Sequence, residues 1–373
     1  MDIKNKKDIL LLIIFTITSL LFKPAGIEKY IVLSAVSVLL FIYNKGNKKE
    51  YYIILTHAFV YILIGLLFAF INNCLSYETL KQTLIYLSSG FIAINYFSFY
   101  GEDNTQKLMD LQLYGMCIGY SILYFIFHKG PGFTWESHVY AFIFGFFVLT
   151  YICQKKYLQA AISAVFMIID NKRIADLAFF VSVLLVIIFA LISDKKIRKY
   201  FYISCKALLI IVPVVWIYMI SNNILTDVFG ITDSFTTWRF SIWKSIEKYY
   251  EFSLLYTGKG LGWVLNWMKL NGIFNLKNLH NDFLTAYIEL GFIGYIFWLL
   301  SFVIILHRIE KTRGLNHACI TISFFVYMFV NFLTDNIYIY ISFLLPFYIV
   351  VLSLVFGHDN IEFIKILHKS KSE

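Results

Sequence analysis

The chain has 373 residues, 60% of them hydrophobic and 15% charged, with a formal net charge of +9 and a mean hydropathy of +0.72. Soluble domains carry about 25% charged residues, and a chain of this size has too little interior to hide so much apolar surface from water. A soluble fold and a separate aqueous domain are therefore excluded, and the excess of basic residues, which lies mostly in short loops between apolar runs, points to membrane topology and not to nucleic acid.

A spanning helix takes about 20 mostly apolar residues. In chain order such runs predict spans near 8–22, 30–43, 52–71, 83–100, 108–127, 139–153, 157–170, 174–192, 200–220, 282–306, 317–334 and 337–356. The start, Lys4-Asn5-Lys6-Lys7 before an apolar run, has the outline of a signal peptide but no small-residue cleavage site, so it reads as a retained first span. Loop charge orders these spans. Nineteen lysines and arginines fall on one side, including Lys45, Lys48, Lys49, Lys155, Lys156, the Lys195–Lys199 cluster and Arg308, Lys311 and Arg313. The short loops opposite hold six: Lys23, Lys29, Lys81, Lys129, Lys172 and Arg173. By the positive-inside rule both termini are cytoplasmic. The chain reads as a single all-α polytopic membrane domain, 1–373, of about 12 transmembrane helices, with residues 221–281 as one long external loop.

The five cysteines, Cys74, Cys117, Cys153, Cys205 and Cys319, are scattered, and no Cys/His cluster has metal-ligand spacing. No metal, cofactor or disulfide framework is expected. The external loop differs from the others in being polar and aromatic. Between Trp238 and Phe252, Phe240, Trp243, Ile246 and Tyr250 recur at helical spacing among Lys244, Glu247, Lys248 and Glu251. Two readings are open: a helix lying flat in the membrane interface, or one wall of a site entered by a lipid substrate.

From Trp238 to Gly294 four short motifs follow one another. Trp238-Arg239-Phe240 opens the segment, and Gly258-Lys259-Gly260-Leu261-Gly262 follows. His280-Asn281-Asp282-Phe283-Leu284 and Glu289-Leu290-Gly291-Phe292-Ile293-Gly294 close it. His280 stands at the start of a late helix, where Asn281 or Asp282 suits the N-cap. Histidine moves protons readily near neutral pH, although a lone histidine at an interface is commonly structural. The free amides of a helix start also favour an anion. Gly258 and Gly260 permit positive φ and close backbone approach, as a tight turn or as a cradle. Gly291 and Gly294 suit close helix packing. Glu289 is costly in a membrane and is expected to face protein or water; on a helix starting at His280 it points away from the histidine, so a direct pair is not favoured. Asn331 and Asp335, one turn apart, can meet a polar ligand or cap a short turn. Trp135, Glu136 and His138 sit in or at the edge of another predicted external loop. Arg173 stands out because the chain has only five arginines against 27 lysines, and a guanidinium forks onto phosphate where an ammonium does not. An interfacial anchor is the alternative for it.

The order of these motifs, and their place in the topology, resembles the O-antigen polymerase/ligase family of bacterial envelope glycosyltransferases. The likeness covers residues 238–294 closely and the twelve-span layout in outline. It implies a GT-C-like, inverting, metal-independent glycosyltransferase in the bacterial cytoplasmic membrane. The enzyme would polymerise oligosaccharide repeat units carried on undecaprenyl pyrophosphate into a capsular, O-antigen or exopolysaccharide chain at the outer face. His280 would activate the acceptor hydroxyl, Arg173 and Arg239 would hold the pyrophosphate, and Asn281, Asp282, Glu289, Gly258, Gly260, Asn331 and Asp335 would support the site or bind acceptor. Implied partners are the lipid-linked glycans, membrane lipid, and flippase and chain-length regulator proteins. Two alternatives stay open: an O-antigen ligase of the same family, and a flippase or transporter of polysaccharide precursors. Transporters tend toward internal repeats and interrupted helices at the midplane, and neither is evident in the sequence.

Overall fold

A computed structural model describes residues 49–127, 140–228, 239–271 and 278–357, with Gly230 and single positions between 31 and 42. The predicted span 8–22, part of 30–43, the loop residues Trp135, Glu136 and His138, Trp238 and the C-terminal lysines lie outside the described residues.

Helices make up the described part, and the only pairing of strand type among those residues is one isolated bridge between Thr257 and Gly291. A 3-10 turn, Lys49–Leu55, leads into α1 (Thr56–Ile71). The next helix, α2 (Tyr77–Phe127), is broken at Gly101, which separates the two predicted spans 83–100 and 108–127. There follow α3 (Tyr140–Cys153), α4 (Tyr157–Asp170), α5 (Arg173–Leu191) and α6 (Lys195–Ser221). Two short helices, α7 (Arg239–Ile246) and α8 (Trp263–Asn271), belong to the long loop. The chain returns through α9 (Asp282–Arg313), α10 (Leu315–Phe332) and α11 (Ile341–Phe356). Among the described residues five stretches are long and apolar enough to cross a membrane: Glu50–Ile71, Arg173–Leu191, Lys195–Ser221, Asp282–Arg313 and Leu315–Phe332. The apolar helices α3, α4 and α11 are shorter. The protein is thus a helical membrane protein.

Burial sorts the faces of these helices. In α1, Ala58, Tyr61, Ile62, Gly65 and Ala69 are buried, whereas Leu63, Leu67 and Phe70 are exposed. Leucine and phenylalanine at that spacing form the stripe a helix turns to lipid. α9 carries a like stripe at Ile293, Phe297 and Ile304 beyond its first nine residues, all of which are buried. Packed neighbours of α9 are α1, α10 and α6, which makes it the central element.

The two glycine motifs meet in one joint. Backbone at Gly291 turns to φ +69, a left-handed value that costs a side-chain-bearing residue about 1–2 kcal/mol, and the helix breaks there. Into the break fits the loop segment Tyr256–Gly262. Lys259 N donates to Ile288 O (2.8 Å), Gly260 N to Glu289 O (3.0 Å) and Phe292 N to Tyr256 O (3.1 Å). From the other side α1 and the start of α2 hold the segment: Leu261 N donates to Gly65 O, Asn72 to Gly258 O, Cys74 Sγ to Lys259 O and Thr79 to Leu261 O. A Cβ on Gly258 would overlap the Glu289 carbonyl, and one on Gly291 would lie 2.5 Å from Gly258 N. Gly294 instead lets α1 approach α9, since a Cβ there would lie 2.7 Å from Ile64 Cγ2. Glu289 locks the joint, accepting from Gly262 N (3.0 Å), Val264 N (3.2 Å) and Tyr61 OH (2.9 Å).

Gly258→Ala and Gly291→Ala should each lower the thermal midpoint in detergent, at a cost of about 1–3 kcal/mol for overpacking. Because the two positions abut, the double variant should lose less than the sum of the singles; strict additivity would mean that the glycines serve separate contacts.

Candidate functional site

Polar side chains gather at the end of the bundle where α9 begins and α10 ends. At the centre is Asp335, in the turn between α10 and α11, with only 2% of its side chain exposed. An isolated carboxylate would not stay charged in such a place. Three basic groups surround it. Lys172 Nζ lies 2.7 Å from Oδ2, Arg239 Nη2 3.1 Å from the same oxygen, and His280 Nδ1 3.3 Å from Oδ1. Burial alone would raise the Asp335 carboxyl, but Lys172, His280 and Arg239 together hold it well below the usual carboxylate range.

Each partner is delivered by local structure. Lys172 follows Asn171, which ends α4 in the left-handed conformation and reverses the chain between α4 and α5. Its ammonium also sits 5.0 Å from the Phe142 ring centroid. Just before it, buried Asp170 accepts from Ala141 N (2.6 Å) and Tyr120 OH (3.3 Å), tying this turn to the start of α3. Arg239 is the first residue of α7, and α7 is docked rather than flat on its own. Ile242, Trp243 and Ile246 are buried, and Trp243 Nε1 donates to Leu279 O (2.9 Å). The loop helix therefore holds Arg239 and the segment before His280 together.

His280 itself adopts φ +52, a conformation few residues other than glycine and asparagine take. Its backbone N donates to Asn336 Oδ1 (2.5 Å) and its ring meets Asp335, so the turn is fixed from two sides. A quarter of the imidazole is exposed. Asn281 is the N-cap of α9, its side chain accepting from Leu284 N (2.8 Å). Asp282 is the first helical residue and serves the facing turn: its carboxylate accepts from Asn336 Nδ2 (2.9 Å), Ile337 N (2.7 Å) and Tyr338 N (2.9 Å). The bond from Asp282 N to Asp335 O (3.1 Å) completes the clasp. Buried Asn331 stands one turn before Asp335, accepts its backbone N–H, and donates its own side-chain N–H to Tyr327 O.

The structure thus brings His280, Arg239, Asp335, Asn281 and Asp282 together, with Asn331 beneath. Glu289, Gly258 and Gly260 belong to the joint in α9 and make no hydrogen bond to this cluster. Arg173 is exposed at the start of α5, beside the cluster, and makes no ion pair with a described residue. Two members went unnoticed in the sequence, Lys172 and Asn336. Arg173 drew attention because of its guanidinium, while the carboxylate is met by the lysine next to it. The pattern Asp170-Asn171 just before Lys172, a turn former after an acid at a helix end, is the signal that this residue is turned inward.

Compared with protein-family models, with curated proteins and with solved structures, the chain gives no match. What composition and fold define is a helical membrane protein with a charged, partly accessible cluster at one end of its bundle.

The depressed Asp335 carboxyl sets a pH dependence. A carboxylate whose folded value lies below its unfolded one, ordinarily near 3.9, contributes stability that is present above the unfolded value and lost as pH falls through the folded one. Asp335→Asn should cost about 3–5 kcal/mol, as breaking a buried pair does. The gap in thermal midpoint between wild type and Asp335→Asn should hold from pH 8 to pH 5 and shrink only in stronger acid. A gap already closed at pH 6 would show that Asp335 is not held as a carboxylate.

Proposed function

We propose that the protein is a polysaccharide polymerase of the cytoplasmic membrane, acting on oligosaccharide repeat units carried on undecaprenyl pyrophosphate. The observation that carries this reading is the His280–Asp335 pair set between Lys172 and Arg239, with Arg173 next to Lys172 in the chain. Support also comes from the resemblance of residues 238–294 to the O-antigen polymerase/ligase family and from the predicted twelve-span, GT-C-like topology with residues 221–281 outside.

The proposed chemistry uses this geometry. With Nδ1–H donating to Asp335 Oδ1, at 3.3 Å, the imidazole keeps the tautomer that leaves Nε2 free as a base. Nε2 removes the proton from an acceptor-sugar hydroxyl. That oxygen attacks the anomeric carbon of the donor glycan from the face opposite its pyrophosphate. The bond from the anomeric carbon to the pyrophosphate oxygen breaks, the lipid pyrophosphate leaves with the electron pair, and configuration inverts. Asp335 stabilises the imidazolium formed. Arg239 and Arg173, joined by Lys172, meet the charge developing on the leaving group, where fixed cations act most strongly. Cationic partners that already face a carboxylate are pre-positioned for a second anion.

Purified protein incubated with a lipid-linked repeat unit should give a ladder of products. His280→Ala should abolish the ladder while the protein stays folded in the membrane, and Asp335→Asn should slow it by about a hundredfold or more, the usual scale of general-base assistance. Arg173→Lys should fail to restore what Arg173→Ala loses. A single block added to a different acceptor would mean a ligase. Undiminished product from His280→Ala at matched expression would sink the assignment.

A further inference from the structure

Helix α5 packs against α10 and α3, with Ala175, Ala178 and Ser182 among its buried residues. Lys172, just before α5, pairs with Asp335, just after α10. The two helices therefore run antiparallel away from this contact. One turn inward, about 5.4 Å, Asp176 of α5 comes level with Asn331 of α10. A turn further along α10 stands Tyr327, whose hydroxyl donates to Phe142 O (2.7 Å) and lies within electrostatic reach of Asp176.

Neither of the two level residues is satisfied. Asp176 is partly buried, and its carboxylate makes no hydrogen bond or ion pair with a described residue. Asn331 is fully buried; its side-chain N–H donates to Tyr327 O (2.8 Å), while Oδ1 has no partner among the described residues. An acid at the first turn of a helix gains from the helix dipole, but that gain does not call for burial against a neighbouring helix. A carboxylate in a spanning helix is costly unless protein or water meets it, and a buried acceptor left unmet is costly too. Both open groups are acceptors, so what completes them is a donor. The negative charge of Asp176 repels a pyrophosphate, which leaves the neutral, hydroxyl-bearing part of a substrate. We propose that Asp176 and Asn331 form a sugar subsite beside the His280–Asp335 pair, where the Asp176 carboxylate and Asn331 Oδ1 accept from hydroxyls of the bound glycan. The identity of this ligand rests on the function proposed above. Asp176 binds the glycan and takes no part in the proton transfer at His280.

Equilibrium binding to the full chain in lipid nanodiscs, read separately from turnover, tests the subsite. The probe is the repeat-unit oligosaccharide released from its lipid pyrophosphate, which carries hydroxyls and no phosphate. Its permethylated form, without hydroxyl donors, is the control. Asp176→Asn should weaken the free oligosaccharide about tenfold or more, the scale of a hydrogen bond to a charged group, and permethylation should abolish binding to the wild type. His280→Ala should bind the oligosaccharide as the wild type does. Because the carboxylate has no protein partner, Asp176→Asn should also keep the wild-type thermal midpoint, in contrast to Asp335→Asn. Three results would overturn the proposal: unchanged affinity in Asp176→Asn, no binding by the wild type, or a fall in thermal midpoint like that of Asp335→Asn. Full product from His280→Ala, together with weakened binding in Asp176→Asn, would remove catalysis from His280 and leave the subsite standing.

Discussion

A carboxylate removed from water must find positive charge or lose its own. Asp335 has found three basic groups, and the places they come from explain much of the architecture. Lys172 arrives from the turn between two transmembrane elements, Arg239 from a helix of the long loop, and His280 from the point where that loop rejoins the bundle. The three lie far apart along the chain. The turn bearing Asp335 adds backbone bonds to Asp282 and, through Asn336, to His280. One side chain thereby fixes the register of four chain regions against one another. It also helps fix a histidine at φ +52, a left-handed value uncommon for a residue with a side chain.

Lower in α9 a second constraint works by shape rather than charge. Glycines at 258 and 291 let two backbones approach to hydrogen-bonding distance where any side chain would intervene. Glu289 then takes up the amides exposed by the loop and the hydroxyl of Tyr61. The costly acid in the membrane is thus a structural bolt. The two constraints are joined by the first nine residues of α9, all buried, and the chain folds back at Gly291, so that the rings of Phe283 and Trp298 lie 6.2 Å apart where an unbroken helix would separate the residues by roughly 22 Å.

Much of this was legible in the sequence, and the division is physical. Spans follow from hydropathy, which is local. The sequence narrows the cap to Asn281 or Asp282 from their place before an apolar helix, because capping needs only the next three residues; the structure gives it to Asn281. The glycine motifs announced close approach but not to what: the partner of Gly258 is some thirty residues away and is itself a glycine. The bond from His280 to Asp335 spans 55 residues and that from Arg239 spans 96, distances over which spacing carries no signal. Lys172 was passed over for Arg173 by a preference based on side-chain chemistry, whereas the backbone turn at Asn171 decides which of the two faces inward. The amphipathic pattern of 238–252 predicts one helix with an apolar face; the structure forms it over Arg239–Ile246, followed by a 3-10 turn at Glu247–Tyr249 and extended backbone at Tyr250, and a flat interface and a protein groove ask for the same pattern. Trp243 bonding to Leu279 shows the groove.

The order of these groups along the chain has a bearing on biogenesis. Lys172, Arg239 and His280 all leave the ribosome before Asp335, the residue that unites them. Until the hairpin of α10 and α11 is inserted the three basic groups have no common counter-charge, and the clasp between Asp282 and the 335–338 turn has only one half. Assembly of the cluster therefore waits for that hairpin, and a nascent chain stalled before it carries the ingredients of the site without the site.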